Sequence, residues 1–519
     1  MLRSPARRRR TGLLSAALTT GLALTAGLGL TAPVATAAPP AAEMSAARAV
    51  RTDEPGVTAN LWEWNWRSIG RECTDVLGPA GYTGVQVAPP QNSVKRTKLG
   101  DGSDSVLHPW WEVYQPVSYR LTSRMGSEAQ FRTMVRDCRR AGVKVYVDAV
   151  INHMTGQGDT SYAGTTFERY RYPGLYDQDD FHKYSGDCPS ASGGIEDFNN
   201  AQQVFRCELV GLADLRTGTR PVRDQLAAYL NKLIGYGVSG FRVDAGKHIG
   251  QTDLDAIYSR LRLTRDGVRP YWALEVFGGG PGVLSPQAFT RSGDVLGLDA
   301  GNQIKAAFKS SAPNATGNIG ALEVFGAGSG LTPSAKTLSF VQNHDTDRTG
   351  DHVQYKDGAT NVLANEWLLA DGYGSPQVYS SFAWQNRDDS PPANAAGLIT
   401  DTVCGPQWTC THRNPGIVAM VRFDRYVGSA AKRNWWDDGA NVIAFSRGNR
   451  GWAAFNNGNA AKRITVRTGL PAGTYCDTIS GRRTGFRCTG TSVTVNAAGR
   501  ATVTVGAKGA VAFTRADRI

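Results

Sequence analysis

Between Gly84 and Asp345 the chain repeats one unit: a short apolar run closed by polar or acidic residues, then a stretch of helical period. The runs are Gly84-Val85-Gln86-Val87, Val143-Lys144-Val145-Tyr146-Val147-Asp148, Val238-Ser239-Gly240-Phe241-Arg242-Val243-Asp244, Trp272-Ala273-Leu274-Glu275 and Leu338-Ser339-Phe340-Val341. Continuous Val-rich runs suit strands buried on both faces, and alternation with helices builds a parallel sheet. The helical stretches are Ser127 to Ala141, Pro221 to Tyr236 and Thr252 to Leu263, with Pro221 suited to a first turn. The expected fold is α/β: a closed (β/α)8 TIM barrel.

Spacing refines this. Asp244 and Glu275 are 31 residues apart, which is one strand–helix unit of a barrel of about 250 residues. Asp148 and Asp244 are 96 apart, so an inserted subdomain is expected after strand 3, at about 152–214. Past about Asn434, Gly, Thr and Val alternate and no helical period remains, which predicts a C-terminal antiparallel β-sandwich domain over 436–519. The catalytic barrel would span 56–435. The length of 519 residues suits about three domains.

Residues 1–38 carry Arg3 and Arg7 to Arg10, an apolar stretch and Ala35-Thr36-Ala37, the pattern of a secretory signal peptide; the export route stays open. Residues 39–55 read as a disordered spacer or pro-segment. No later stretch reaches 18 apolar residues, so no membrane partner is expected after signal cleavage. The net charge of +12 falls to +7 without the signal, and no long basic run follows it, which argues against a nucleic-acid partner. Secretion makes disulfides expected. The cysteines are Cys73, Cys138, Cys188, Cys207, Cys404, Cys410, Cys476 and Cys488, an even eight with 105 possible connectivities. The short separations favour Cys404–Cys410 and Cys476–Cys488. No C-x-x-C is present, so a zinc ribbon or redox site is not expected.

The chemistry sits in carboxylates. Asp148, Asp244, Glu275 and Asp345 each fall at or just past a strand end, where barrel enzymes act. Asp244 and Glu275 should lie on adjacent strands, about 4.8 Å apart. Carboxyls about 5–5.5 Å apart fit a retaining glycosidase, one the nucleophile and one the acid/base. Arg242, two residues before Asp244, points to the same side and is expected to keep it ionised. Glu275 follows Trp272-Ala273-Leu274, and desolvation should raise its pKa.

With these blocks in view, the sequence from about Gly56 onward resembles the α-amylases of glycoside hydrolase family 13, of the animal type also found in actinobacteria. The resemblance rests on Asp148-Ala149-Val150-Ile151-Asn152-His153, on Gly240 to His248, on Glu275-Val276-Phe277 and on Phe340-Val341-Gln342-Asn343-His344-Asp345, in this order. His108 to Pro116, Gly211 to Leu215 and Asn434 to Gly439 add to it. It implies an extracellular enzyme that hydrolyses internal α-1,4 bonds of starch and glycogen. Asp244 would be the nucleophile, Glu275 the acid/base and Asp345 the stabiliser of the transition state. Arg242 would orient Asp244. His153 and His344 would hydrogen-bond the reacting glucose, Lys247 and His248 would touch the next sugar, and Trp110, Trp111, Tyr114 and Gln115 would line the cleft.

The resemblance also implies a structural calcium, Ca2+, held by side-chain oxygens of Asn152 and Asp214 and the carbonyls of Phe205 and His248. It implies the bridges Cys73–Cys138 and Cys188–Cys207. Two departures stand out. Animal-type relatives bind an activating chloride through two arginines and an asparagine; Arg242 and Asn343 match, but Gln377 replaces the second arginine, so no chloride dependence is expected. The glycine-rich loop after the third acid is replaced by Thr346 to His352. A starch-binding module after the β domain is not expected, and a monomer is expected. A transferase or oligosaccharide hydrolase of the same family, and a non-catalytic α-glucan-binding protein, are the alternatives. Asn314-Ala315-Thr316 is a glycosylation sequon expected to stay bare.

Overall fold

A computed structural model describes residues 55–99, 107–311 and 317–519. The expected signal, the spacer up to residue 54 and the sequon at Asn314 lie outside them. Among the described residues no helix is long and apolar enough to cross a membrane.

Eight parallel strands close into a barrel. They are β1 (Thr58–Leu61), β2 (Gly84–Val87), β3 (Lys144–Val150), β4 (Gly240–Asp244), β5 (Tyr271–Leu274), β6 (Asp294–Leu296), β7 (Thr337–Phe340) and β8 (Ser375–Ser380). They neighbour one another in sequence order, and β8 returns to β1 in register Thr58↔Gln377. The five runs anticipated from sequence are β2, β3, β4, β5 and β7. The other three are short or interrupted. β8 contains Pro376, which cannot donate to a ladder and reads as a turn.

Helices cover the barrel: α1 (Trp66–Glu72), α2 (Glu128–Arg140), α3 (Arg220–Tyr236), α4 (Gln251–Ser259), α5 (Leu298–Phe308), α6 (Ala359–Asp371) and α7 (Pro415–Val427). Local chemistry sets their ends. Ser127 opens α2 with a reciprocal capping box to Gln130. Phe131, Met134, Val135 and Cys138 then form one buried stripe at spacings of three and four. Pro lies in the first turn of α3, and Gly237, at φ +111°, ends it in the left-handed region.

All eight cysteines pair: Cys73–Cys138, Cys188–Cys207, Cys404–Cys410 and Cys476–Cys488. The first ties the end of α1 to α2. The second lies within the long segment between β3 and α3. That segment docks on the barrel through backbone bonds from Leu215 N to Asn152 O and from Met154 N to Ala213 O.

The tail forms two four-stranded sheets. One is β9 (Lys432–Asp437), β10 (Val442–Arg447), β11 (Gly451–Asn456) and β16 (Gly509–Thr514). The other orders β12 (Lys462–Arg467), β15 (Arg500–Val505), β14 (Ser492–Val495) and β13 (Gly473–Cys476). β12 and β15 bury every second residue, as a half-solvated sheet must. In the first sheet β10, β11 and β16 are buried on both faces. Val442, Ala444, Trp452 and Phe513 fill the sandwich, whereas Ile443, Phe445, Ala453 and Phe455 join the barrel core. The separate β domain read from sequence thus shares an apolar wall with α7: a side chain at Gly451 would strike Phe423 and Val427.

Candidate active site

The expected acids converge on one buried arginine at the C-terminal ends of β3, β4 and β5. Strand register puts Arg242 opposite Asp148 on β3 and Ala273 on β5. Its guanidinium donates to Asp148 Oδ1 at 2.7 Å and to Asp244 Oδ1 at 2.6 Å through Nη1, and to Glu275 Oε1 through Nη2. Glu275 Oε2 accepts from the Ala245 amide at 2.8 Å. Ala245 adopts φ +49°, a strained value for a residue with a side chain. That kink lets the chain leave β4 into the short helix Gly246–Ile249 bearing Lys247 and His248.

Four carboxyls face one cation. Arg242, Asp148, Asp244 and Glu275 are buried, and Asp345 is half-buried. Burial raises all four carboxyl pKa values, with Arg242 opposing it each time. Asp148 reaches about 7, with Asp244's charge adding to burial. Asp345 reaches about 8 through burial first, with the charges of Glu275, Asp244 and Asp148 adding to it. Glu275 rises as expected of a general acid. At Asp244 Arg242 favours the ionised form, as expected, and burial opposes it strongly enough that the pKa is raised. Its ionised form therefore begins at a higher pH than for a solvated aspartate.

Burial favours the neutral form of His153 and His344. Burial lowers His153 to about 4, and its Nε2–H donates to Tyr114 O at 3.0 Å. His344 falls well below the usual range by burial, with Arg242 and Arg348 adding to the effect. It stacks between Trp62 (4.9 Å) and Tyr114 (5.1 Å), with Trp110 edge-on at 5.7 Å, and its Nε2 lies 3.2 Å from Asp345 Oδ2. His344 and Asp345 open the helix His344–Thr349, capped by Asn343, whose Oδ1 accepts from the Asp345 and Thr346 amides. Thr346 to Thr349, the start of the segment read as replacing a glycine-rich loop, belong to this short helix.

The aromatic residues split into two groups. Trp110 and Tyr114 are largely buried, Tyr114 O–H donating to Asp148 Oδ2 at 2.8 Å and Trp110 Nε1 to Arg387 O at 2.9 Å. Trp111 is half-buried under the Arg96 guanidinium, 5.2 Å away. Gln115 is buried and accepts from the Gly156 amide at 3.0 Å, so it also braces the inserted segment. Beside Glu275 and Asp345 opens a cavity of about 500 Å³ lined by Lys247, His248, Phe198 and Phe277. Lys247 Nζ donates to Phe277 O at 3.1 Å and to Gly279 O.

The metal-ligand candidates fall in two contacting pairs of segments. Asn152 Nδ2 donates to the buried Asp214 Oδ1 at 3.1 Å, and His182 Nδ1 lies 2.6 Å from Asp214 Oδ2. His248 Nδ1 donates to Val204 O at 3.1 Å, which brings the carbonyl-bearing segments of His248 and Phe205 together. Burial raises Asp214 to about 6, against the pull of His182.

Sequence reasoning passed over two residues here. Trp62 follows β1, donates Nε1 to Tyr114 O–H at 3.0 Å and carries His344 on its face. Arg348, one helical turn after His344, lies 4.4 Å over Trp62, 4.7 Å over Phe382 and 5.6 Å over Trp110, and donates Nη1 to His344 O at 3.2 Å. The i, i+4 spacing from His344 was the available signal.

The chain matches two family descriptions: "Alpha amylase, catalytic domain" over residues 114–261, and "Alpha amylase, C-terminal all-beta domain" over 434–516. It is 41% identical over 469 residues to an alpha-amylase of Streptomyces violaceus, covering 90% of this chain and 75% of the relative. It is 39% identical to the pancreatic alpha-amylase of Sus scrofa, covering 85% of this chain and 90% of the relative. Among solved structures, alpha-amylase I of Eisenia fetida aligns with a TM-score of 0.82 and 36% identity, over 90% of this chain and 98% of that one.

Proposed function

The chain belongs to the α-amylase family of glycoside hydrolases, and from that premise we propose that it is a secreted enzyme cleaving internal α-1,4 bonds of α-glucans with retention. The observation that carries this reading is the guanidinium of Arg242 shared by Asp244 and Glu275, on adjacent strands at the catalytic end of the barrel.

The residues divide the work as their surroundings allow. Asp244 Oδ attacks the anomeric carbon while the raised pKa of Glu275 lets it protonate the departing glycosidic oxygen. In the second step Glu275 takes a proton from water, which displaces Asp244. Asp345 contacts the neutral His344 and no cation, so its carboxyl is free to exchange hydrogen bonds with sugar hydroxyls. His153 and His344, both neutral, can donate or accept without placing charge beside the oxocarbenium-like centre. Lys247 and His248 line the leaving-group side. Arg348 holds the Trp62–His344–Tyr114 stack in place. Progress curves test the endo reading: iodine staining of amylose should collapse while few reducing ends have formed, and the first products should be α-anomers by NMR. Glucose or maltose released from the outset, with staining intact, would sink it.

A second reading has one observation in its favour. Phe277 and Phe198 are 43% and 51% exposed at the cavity beside Glu275, and such faces suit a sugar acceptor as well as a leaving group. Products longer than the substrate after adding maltose would reveal transfer.

Calcium fits the wall at Asp214. The donor set is hard oxygen: one buried carboxylate, one amide that can turn its oxygen inward, and the carbonyls of Phe205 and His248. The ion would neutralise Asp214 and clamp the inserted segment to the barrel. Chelation is expected to lower Tm by about 3 °C while leaving early kcat unchanged, on the scale of losing a ligand present at about 100 times its Kd. Calorimetry of the wild type beside Asp214→Ser, which should lose the chelator response, checks this.

Chloride is not expected to activate. Gln377 donates Nε2 to Gln86 Oε1 at 3.0 Å and accepts from Asn60 Nδ2 at 3.3 Å, a neutral amide lattice where an anion would need a cation. Replacing chloride by acetate at equal ionic strength should leave kcat/KM within about twofold.

A further inference from the structure

The net positive charge of this protein is concentrated in its β-sandwich. Residues 432–519 hold fourteen Lys and Arg against four Asp and no Glu, whereas residues 39–431 hold 38 bases against 41 acids. The four acids are turned inward. Asp477 accepts from the amides of Ala512, Ile479 and Ser480, and Asp517 from that of Thr514. Asp437 accepts from the Gly439 amide, and Asp438 from those of Ala440 and Val442. None of the four is exposed, while eleven of the bases are. The exposed charge of this domain is therefore of one sign.

The outer face of β12 and β15 gives that charge an ordered form. Its exposed residues are Arg463, Thr465 and Arg467 on one strand and Arg500, Thr502 and Thr504 on the other. Register pairs Arg467 directly with Arg500, Thr465 with Thr502, and Arg463 with Thr504. Like charges set opposite one another destabilise a sheet. Among the described residues no acid is paired with any of the three arginines. Arg500 instead donates Nη2 to Thr465 O at 2.8 Å, which holds its guanidinium over the strands. The face thus presents guanidinium forks and hydroxyls with no apolar side chain among them.

We propose that this face docks the enzyme on a linear inorganic polyphosphate chain; its exposed residues are arginines and threonines, with no aromatic side chain on which a nucleic-acid base could stack. Guanidinium forks match phosphate oxygens two at a time, and a phosphate bridging Arg467 and Arg500 removes their mutual repulsion. Arg463 and Arg467 stand about 13 Å apart along β12, so a chain with several phosphates engages both. A bilayer fits this face poorly, because nothing on it can enter the acyl region. The exposed Phe486 lies elsewhere, on the hairpin that also bears Arg483 and Arg487. Docking leaves the barrel free and acts independently of hydrolysis.

The test is retention of the mature full chain on immobilised long-chain inorganic polyphosphate. The wild type should be held at physiological salt and released by a salt gradient. The triple variant R463Q/R467Q/R500Q should elute earlier, with the slope of log affinity against log salt reduced by about two, as for three lost contacts to a flexible polyanion. T502E, which keeps every arginine but sets a carboxylate among them, should weaken retention as well. Unchanged Tm and unchanged starch hydrolysis would show both variants intact. Co-elution of the triple variant with the wild type, or T502E eluting unchanged, would overturn the proposal. So would tighter binding to vesicles of 30% phosphatidylglycerol in phosphatidylcholine, abolished by F486S.

Discussion

Replacing Asp244 by Asn is expected to lower kcat on soluble starch by about 10⁴- to 10⁶-fold, the scale on which losing a covalent nucleophile acts. The substitution is nearly isosteric. Its oxygen still accepts from Arg242 Nη1, now 2.6 Å from Asp244 Oδ1, and Arg242 keeps Asp148 and Glu275. Tm should therefore hold, and KM should change little, because the ground-state sugar contacts come from other residues. Only the charge that forms the glycosyl bond is gone. Glu275→Gln offers the contrast. It removes the proton for the leaving oxygen, so a substrate whose leaving group needs no proton should recover its first step in that variant and not in Asp244→Asn. Stopped-flow traces with an aryl maltoside would show a burst for Glu275→Gln alone. Residual starch activity above about one part in a hundred in folded Asp244→Asn would remove Asp244 from the nucleophile's role.

The barrel was legible because its strands carry two messages at once. β3 and β4 are largely buried and apolar and carry Asp148 and Asp244 within the strand itself, so strand and chemistry coincide. β1, β6 and β8 carry neither message: β6 is three residues long, and Asn60 and Gln377 put amides where an apolar residue was looked for. Those amides hydrogen-bond to one another inside the barrel, a contact between positions 317 residues apart that no local pattern reveals. The acids were legible for the same reason as the strands. What escaped was the balance between them. The sign of the Asp244 shift depends on how deeply the cluster is buried against the pull of Arg242, and that depth is not written in the spacing around Arg242. The aromatic wall was half legible. Trp110 and Tyr114 lie in one motif, but Trp62 and Arg348 reach the site from the far side of the closed barrel.

Arg242→Met is expected to be as damaging to the fold as to the reaction. The side chain is buried and donates to three buried carboxylates, so its loss leaves buried negative charge uncompensated. Breaking such a network from one side costs about 3–5 kcal/mol. The cost depends on pH, and the sign follows from the carboxyls. Arg242 opposes the rise of Asp148, Asp244, Glu275 and Asp345, so without it their native pKa values climb further. The native state then holds protons that the unfolded chain has released above its ordinary carboxyl range near pH 4. Stability must fall as pH rises from there through the raised native values. The deficit against wild type should thus be larger at pH 8 than at pH 5, by denaturant unfolding. The acid limb of kcat/KM should move to higher pH in the variant for the same reason, since Asp244 must be ionised to attack. Arg242→Lys separates charge from shape. An ammonium supplies the charge but cannot fork to carboxylates on three strands. It should recover much of the stability and little of the rate. Equal recovery of both would mean that Arg242 serves the site as a counter-ion only, and that the geometry between Asp244 and Glu275 is set elsewhere, by the Ala245 amide and the strand register.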